Sequence, residues 1–427
     1  MNLFEITNTI AWAIALSLMF ICGIFFTYKL KFVQLRFILQ LKSLIPDKYS
    51  KINSFETLSI TLASKIGVGS ISGIALAIYL GGPGVVFWMW ISGIITSANT
   101  YVESLLGKSS QEKKGKSFYG GPSYYIKKYL NNKKLAIIYA LIVVFAYVFG
   151  FLPIQSNTIV KAVSEISNIS SILTIMIVCI LTLIVIYKDI GIIAKFSSII
   201  VPVMTFVYLL LGIYIIANNK SKIPMILGLI FNNAFNFKSG LFGFISVIIL
   251  GVQRGLFASE AGIGTAAIAS ASSEENAKKQ ALSQVFVIHF TIFIICNITA
   301  FIILTSSYNN LYLINPNGIE ITLNAFNQNF GSWGSLCLCI VTCLFAFSTI
   351  VSCYYYTESA LKYIFPNINK NKINLHKLFV IIVIFIGAIV SSNIIWKLVD
   401  ILLAFMAIIN IYAIKKIFDK KDLNNKI

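Results

Sequence analysis

The chain has 427 residues, 58% of them hydrophobic and only 11% charged, with a mean hydropathy of +0.85. A soluble domain is roughly 45–50% apolar, so a water-soluble fold is excluded. The net charge of +19 does not signal a nucleic-acid partner, because the Lys and Arg residues sit between apolar runs and not on one domain or arm.

Runs of about 20 apolar residues, the length that crosses a hydrocarbon core of about 30 Å, recur near 9–27, 57–80, 84–106, 134–153, 171–187, 191–217, 243–271, 280–305, 333–360, 377–393 and 395–414. They predict an all-α polytopic membrane protein with eleven spans. The first run lacks a basic leader and a small-residue cleavage site, so it is expected to be a retained span. After it, KLKFVQLRFILQLKSLI (29–45) puts Phe32, Leu35, Ile38 and Leu39 near one face, which predicts an anchoring helix in the membrane interface.

The connections 28–56 and 107–133 are rich in lysine, whereas 306–332 has no Lys or Arg. With eleven crossings, Lys278 and Lys279, then Lys362, Lys370 and Lys372, then Lys415, Lys416, Lys420 and Lys421 share the side of those two basic loops. The positive-inside rule then predicts an external N-terminus and a cytoplasmic C-terminus. The expected organisation is an N-terminal span and interfacial helix (1–56), a first five-helix repeat (57–217), an extracellular connection (218–242), a second five-helix repeat (243–414) and a basic tail (415–427). Cys22, Cys179, Cys296, Cys337, Cys339, Cys343 and Cys353 all lie in apolar runs, where a thiol behaves as a small hydrophobe, and no disulfide is expected. The cluster Cys337, Cys339, Cys343 lacks neighbouring His or carboxylate residues for a metal site.

Two runs are interrupted. The second reads TLASKIGVGSISGIALAIYLGGPG, with Gly67, Gly69 and Gly73 among Ser64, Lys65, Ser70 and Ser72. The seventh contains GVQRGLFASEAGIGTAAIA, with Gly251, Gly255, Gly262 and Gly264 among Arg254, Ser259, Glu260 and Thr265. Unwound backbone at membrane depth is tolerated only where it lines a cavity or is buried in protein. Paired interruptions in corresponding positions of two halves point to a transporter's binding site. Each opens a set of five runs, and an odd number per set requires the halves to be inverted relative to each other. Freed amides near Val68 to Ile71 suit a carboxylate and freed carbonyls suit an ammonium or a cation, so an amino acid fits better than a sugar.

A charge at membrane depth is a functional candidate by default. Lys65 is the sharpest case, with a purely structural salt bridge as its alternative. Arg254 and Glu260 are expected to pair across the break between them. Glu103 and Glu358, near the ends of their runs, are expected to be interface partners for Lys or Arg, and His289 a satisfied core residue. With His289 and His376 as the two histidines, and no HExxH or paired-Asp motif, an enzyme is not expected.

The stretch GVGSISGIALAI (67–78) running into LGGPGVVFWMW (80–90), then YGGPSYYI (119–126), Gln155-Ser156-Asn157, GVQRGLFASEAGIGTAAIA (251–269) and FSTIVSCYYYTES (347–359) resemble the alanine or glycine:cation symporter family, within the amino acid–polyamine–organocation superfamily. The resemblance covers most of the chain, in order. It implies a leucine-transporter-like 5+5 inverted repeat with one extra N-terminal span, carrying alanine or glycine inward with sodium across a bacterial plasma (inner) membrane. Sodium is then a co-substrate and no cofactor is implied. The family's cradle falls on Gly67, Val68, Gly69 and Ser70, with Gln155 and Asn157 from the fourth span, Ser259, Gly262 and Gly264 from the seventh, and Cys353 lining the substrate pocket. A sodium site is implied at the hydroxyls of Ser348 and Thr349 against the Ala63 and Ile66 segment.

Departures from the family pattern bear on the ions. Ser70 stands where Asn is expected, Lys65 where Thr is usual, Thr291 where an Asp is expected and Cys353 where the family has Trp. Lost Asn and Asp oxygens together with a new ammonium suggest that a cation site near Ser70 is gone. The alternative function is therefore a proton-coupled or sodium-independent amino-acid carrier in which Lys65 replaces a bound cation. Cysteine in place of Trp also predicts a roomier pocket.

Overall fold

A computed structural model describes residues 3–45, 54–114, 117–188, 190–236, 240–306 and 318–420. The chain is a helical bundle whose one sheet, among these residues, is a two-stranded hairpin of β1 (Glu112–Lys114) and β2 (Ser117–Tyr119). The helices are α1 (Leu3–Lys29), α2 (Phe37–Ser43), α3 (Ser54–Lys65), α4 (Gly69–Gly81), α5 (Val85–Ser109), α6 (Pro122–Leu130), α7 (Lys133–Ile166), α8 (Ser171–Ile186), α9 (Ile190–Asn218), α10 (Ile223–Ala234) and α11 (Gly240–Ser259). They continue with α12 (Thr265–Ser272), α13 (Ala277–Ser306), α14 (Gly318–Phe330), α15 (Ser332–Ile364), α16 (Lys370–Ile389) and α17 (Ser392–Lys420).

Among the described residues, eight helices are long and apolar enough to cross a membrane, and nine if the bent pair α3 and α4 is one span. Shorter apolar helices occur at Ser171–Ile186 and Gly243–Ser259. Large apolar side chains on their outer faces, such as Ile172 and Ile180 on α8 and Val203, Phe206 and Leu210 on α9, stay exposed, as expected where the surrounding medium is lipid.

Both interrupted runs are broken. Between α3 and α4 the axis bends by 48°, and the first turn of α4, Gly69–Gly73, is wound as a π-helix. Between α11 and α12 the chain passes through Glu260, Gly262 and Gly264 with φ of +50°, +74° and +99°. Left-handed backbone at three nearby positions ends one helix and redirects the next, and two of the three are glycine, which has no Cβ to clash there.

Small residues let α5 lie close against the second broken run. A Cβ on Gly251 would come 2.5 Å from the Val85 carbonyl, one on Gly255 2.7 Å from Ser92 Oγ, and one on Gly107 2.4 Å from the Ala267 carbonyl. This is the small-residue packing that brings membrane helices together without a hydrophobic drive between them. On another side of the bundle, Gly387 of α16 packs on Pro153 of α7 in the same way.

The segment after α1 differs from a single interfacial helix. Lys31 and Phe32 adopt positive φ, a short 3-10 turn follows at Val33–Leu35, and only Phe37–Ser43 is helical. Leu35, Ile38 and Leu39 are nonetheless exposed. Gln40 on its opposite face is buried, with Oε1 3.1 Å from His289 Nδ1 and Nε2 donating to the Gln34 carbonyl at 2.7 Å. His289 is therefore the latch of this segment onto α13. Lys48 and Lys51 of the first basic loop, and Lys421 of the tail, lie outside the described residues.

Gly107→Val is expected to destabilise the protein by about 1–3 kcal/mol through overpacking, seen as a lower Tm in detergent. Gly228→Ala, where an added Cβ meets nothing within 4 Å, is the matched control and should leave Tm unchanged or slightly raised.

Candidate functional site

The first break gathers the predicted cradle. At Gly67 a Cβ would sit 2.4 Å from Thr349 Oγ1 and 3.3 Å from Gln155 Oε1, and at Gly69 2.5 Å from the Phe257 ring. Only glycine lets α7, α11 and α15 approach the backbone this closely. The freed Val68 amide donates to Gln155 Oε1 at 3.3 Å. Ser70 Oγ donates to the Gly67 carbonyl at 3.0 Å, and the Ser70 carbonyl accepts from Thr299 Oγ1 at 2.9 Å. Thr299 in turn is 2.6 Å from Tyr208 Oη. The unwound backbone is thus met by side chains of α7 and α13, with Tyr208 of α9 behind Thr299, as buried polar groups require.

Thr349 Oγ1 lies 2.7 Å from the Ala63 carbonyl and 2.8 Å from the Phe345 carbonyl. Its single hydrogen can serve either acceptor. Turned to Phe345, the hydroxyl offers a lone pair beside the Ala63 carbonyl, two hard oxygens of the kind a small monovalent cation takes. Ser348 is next to it, with its own hydroxyl donated to Phe345 at 2.9 Å. The Ile66 amide is spent on the Leu62 carbonyl at 2.7 Å.

Other predicted residues sit elsewhere. Asn157 donates to the carbonyls of Gly387, Ala388 and Val390 at 3.3, 3.2 and 2.9 Å, so its amide ends α16. Ser259 is buried, and its Oγ has no hydrogen-bond partner among the described residues. Gly262 and Gly264 face α5, where the Gly262 amide donates to Thr100 Oγ1 at 3.2 Å. Cys353, fully buried, lies beside Tyr147 and Tyr356.

An aromatic column flanks the cradle. Trp396 leans against Phe257, tilted by 53° at 4.6 Å between centroids, Phe257 stacks on Phe151 at 4.9 Å and Phe151 on Tyr147 at 4.6 Å, and Tyr147 meets Tyr356 edge-on at 5.4 Å. Above it opens a cavity of about 610 Å³ lined by Ser72, Tyr79, Asn157, Gly318, Ser392 and Trp396 among others. The floor carries a buried ion pair. Arg254 does not pair with Glu260 but reaches Asp400 Oδ2 at 2.9 Å, with its guanidinium 4.4 Å over the Trp396 ring. Six positions of helix put Glu260 on a different face from Arg254, and Asp400 of α17 supplies the nearer carboxylate.

Below the column lies a second charged group. Lys65 is buried, and its Nζ has no hydrogen-bond partner among the described residues. It interacts electrostatically with Glu260 and, more weakly, with Glu103. Glu260 accepts from Tyr147 Oη at 3.1 Å and from Ser64 Oγ at 3.4 Å, and Ser64 is 3.0 Å from Tyr356 Oη. Glu103 is not an interface partner of a basic side chain: it is fully buried and accepts from Asn410 Nδ2 at 2.5 Å. Glu358 does pair with Lys362, at 2.5 Å.

Asp400, Asn410, Trp396 and Tyr147 were not among the expected site residues. Asp400 and Asn410 did carry a signal, being polar in the last apolar run. The aromatics carried none that separates them from ordinary packing.

The sequence profile of the sodium:alanine symporter family matches residues 1–421. The chain is 33% identical over 420 residues to amino-acid carrier protein AlsT of Bacillus subtilis, covering 97% of this chain and 89% of that one. It is 32% identical over 430 residues to sodium/alanine symporter AgcS of Methanococcus maripaludis, covering 97% and 94%. Its fold resembles the manganese transporter of Eremococcus coleocola, with a TM-score of 0.58 at 11% identity over 86% of this chain and 78% of that one. Matched over residues 1–421 and broken at the two helices on which its motifs lie, the chain is a transporter belonging to the sodium:alanine symporter family.

Proposed function

We propose that the protein imports a small neutral amino acid, of the alanine or glycine type, together with sodium by alternating access across a bacterial plasma membrane. The observation that carries this is the break at Gly67–Ser70, where glycine alone admits Thr349, Gln155 and Phe257 against the backbone. Its amides suit the substrate carboxylate, with Gly67, Val68, Gly69, Ser70 and Gln155 as the cradle. Ser259, whose buried Oγ has no hydrogen-bond partner among the described residues, is the further hydroxyl of this reading, and Cys353 its side-chain-end residue. Ala63, Ile66, Ser348 and Thr349 are the sodium ligands of this reading.

In the same reading all eleven apolar segments cross, α8 and α11 included, as two inverted sets of five after α1. The lysine-rich connections put the N-terminus outside and the C-terminus in the cytoplasm. The 610 Å³ cavity is then an external vestibule, with Trp396 and the Arg254–Asp400 pair as its floor, while the Lys65, Glu260 and Glu103 level lies toward the cytoplasm.

A second reading is a proton-coupled or sodium-independent carrier. What favours it is the buried Lys65 ammonium, without a hydrogen bond among the described residues, near the segment where a cation would otherwise sit.

Uptake of radiolabelled alanine into proteoliposomes, with sodium and pH gradients varied independently, tests both. Uptake driven by a sodium gradient at equal pH is expected. Uptake that follows only the pH gradient would replace the first reading by the second. Thr349→Val should raise the sodium concentration for half-maximal uptake about tenfold or more, on the basis of one lost oxygen ligand worth about 1.4 kcal/mol or more. Gly69→Ala, whose added Cβ would sit 2.5 Å from the Phe257 ring, should weaken substrate binding about tenfold or more, measured as a smaller alanine-induced rise above the ligand-free variant's own Tm, which overpacking is itself expected to lower. Competition by unlabelled amino acids reports pocket size: Cys353→Trp is expected to narrow the range of competitors toward glycine and alanine.

A further inference from the structure

Three ionisable side chains meet at the inner level, and the sodium reading uses none of them. Lys65 comes from α3, Glu260 from the left-handed turn after α11 and Glu103 from α5, and all three are buried. Fully charged, they carry a net charge of minus one in a place closed to water. An uncompensated buried charge is costly, so one further positive charge belongs here.

The two carboxylates differ. Glu260 is met by Tyr147, Ser64 and Thr265 and is the stronger neighbour of Lys65, so it forms a balanced pair with the ammonium. Glu103 accepts from Asn410 on Oε2, and the backbone amides of Gly262 and Gly264 face it. Its Oε1 is buried with no hydrogen-bond partner among the described residues. A sodium ion would need several oxygens around it and would sit against the Lys65 charge. A proton needs one oxygen.

Glu103 is also tied to the barrier. Asn410 donates one N–H to Glu103 at 2.5 Å and another to the Gly262 carbonyl at 2.9 Å, and its Oδ1 accepts from Tyr125 Oη. Tyr139 Oη donates to the Ile263 carbonyl. These bonds strap the break of the seventh run to α5, α6, α7 and α17. Asn410 lies about 21 Å further along α17 than Trp396 at 1.5 Å per residue, so the strap closes the side away from the vestibule. The titratable groups that interact with Glu103 among the described residues are Lys65, Tyr125 and Tyr139.

We infer that Glu103 Oε1 binds one proton per transport cycle and that its charge state sets the inner gate. Ionised, Glu103 holds Asn410 by a charge-assisted hydrogen bond and keeps the strap closed. A proton taken from the outer side neutralises it, the Asn410 bond weakens, Gly262 is released and the inner side opens. There the proton leaves to the cytoplasm and the strap reforms. This rests on the alternating-access reading above and adds a proton to whatever sodium that reading carries.

The test uses the full chain in proteoliposomes with a trapped pH-sensitive dye, sodium equal on both sides, and alanine added outside. The wild type is expected to acidify the lumen as alanine enters. Glu103→Gln should keep alanine–alanine counterflow within about threefold of wild type and lose the acidification. If the Gln variant does not fold, Glu103→Asp should still acidify the lumen with a pH midpoint moved by at least half a unit. Alanine entry without acidification in the wild type overturns the inference while leaving the transporter reading intact, whereas no alanine entry at all overturns that reading. Acidification that persists in Glu103→Gln, a pH midpoint unmoved in Glu103→Asp, or a loss of sodium-22 co-uptake in its place, also overturns it.

Discussion

Inside a bilayer no water is at hand to satisfy a free amide or carbonyl, so every break in a membrane helix has to be answered by protein. The rest of this structure follows from how two breaks are answered. At the first, Gln155 takes the Val68 amide, Thr299 takes the Ser70 carbonyl and Thr349 takes the Ala63 carbonyl. At the second, Thr100 takes the Gly262 amide, Asn410 the Gly262 carbonyl and Tyr139 the Ile263 carbonyl. The partners are not equivalent. Those of the first break end in short hydroxyls and one amide, groups that a carboxylate or a cation can displace or join. Those of the second include a buried carboxylate and a strap of longer polar side chains, which close the gap and leave no room to be joined.

Much of this could be read before the fold. The glycine clusters located both breaks because a run of apolar residues interrupted by Gly and Ser has few other uses at membrane depth. The apolar runs located the helices because lipid demands length and hydrophobicity over the same residues. What could not be read were the partners. Glu103 and Asn410 are 307 positions apart, and Arg254 and Asp400 are 146 apart. Proximity in sequence favoured Glu260 for Arg254, but six helical positions turn the two side chains away from each other. Glu103 looked peripheral by its place near the end of a run, and only the packing of α12 and α17 onto α5 encloses it. Interfacial amphipathicity suggested one helix over 29–45, while left-handed backbone at Lys31 and Phe32 lets Gln40 turn inward to His289.

The aromatic column explains how two charged levels coexist so close to one cradle. Phe257, Phe151 and Tyr147 stack in sequence, with Trp396 tilted against Phe257, between the Arg254–Asp400 pair and the charges of Lys65 and Glu260. Apolar rings keep the low dielectric in which each pair holds, and they keep the two pairs from exchanging partners. Phe257 touches both the column and the break, because the same ring that stacks on Phe151 lies against Gly69.

In the alternating-access reading proposed above, that dual contact couples cargo to gate. A substrate settling on the Gly67–Ser70 backbone must share space with Phe257, and any shift of Phe257 moves Trp396 above it and Phe151 below it. Trp396 carries the Arg254 guanidinium on its face, so the Arg254–Asp400 pair responds. Phe151 leans on Tyr147, whose hydroxyl is bonded to Glu260, so the group of Glu260 and Lys65 responds as well. Close packing transmits such a displacement because rings in contact have no slack to absorb it. In that reading one small molecule at the break acts on both charged levels through the column, and the two levels need no contact with each other to alternate.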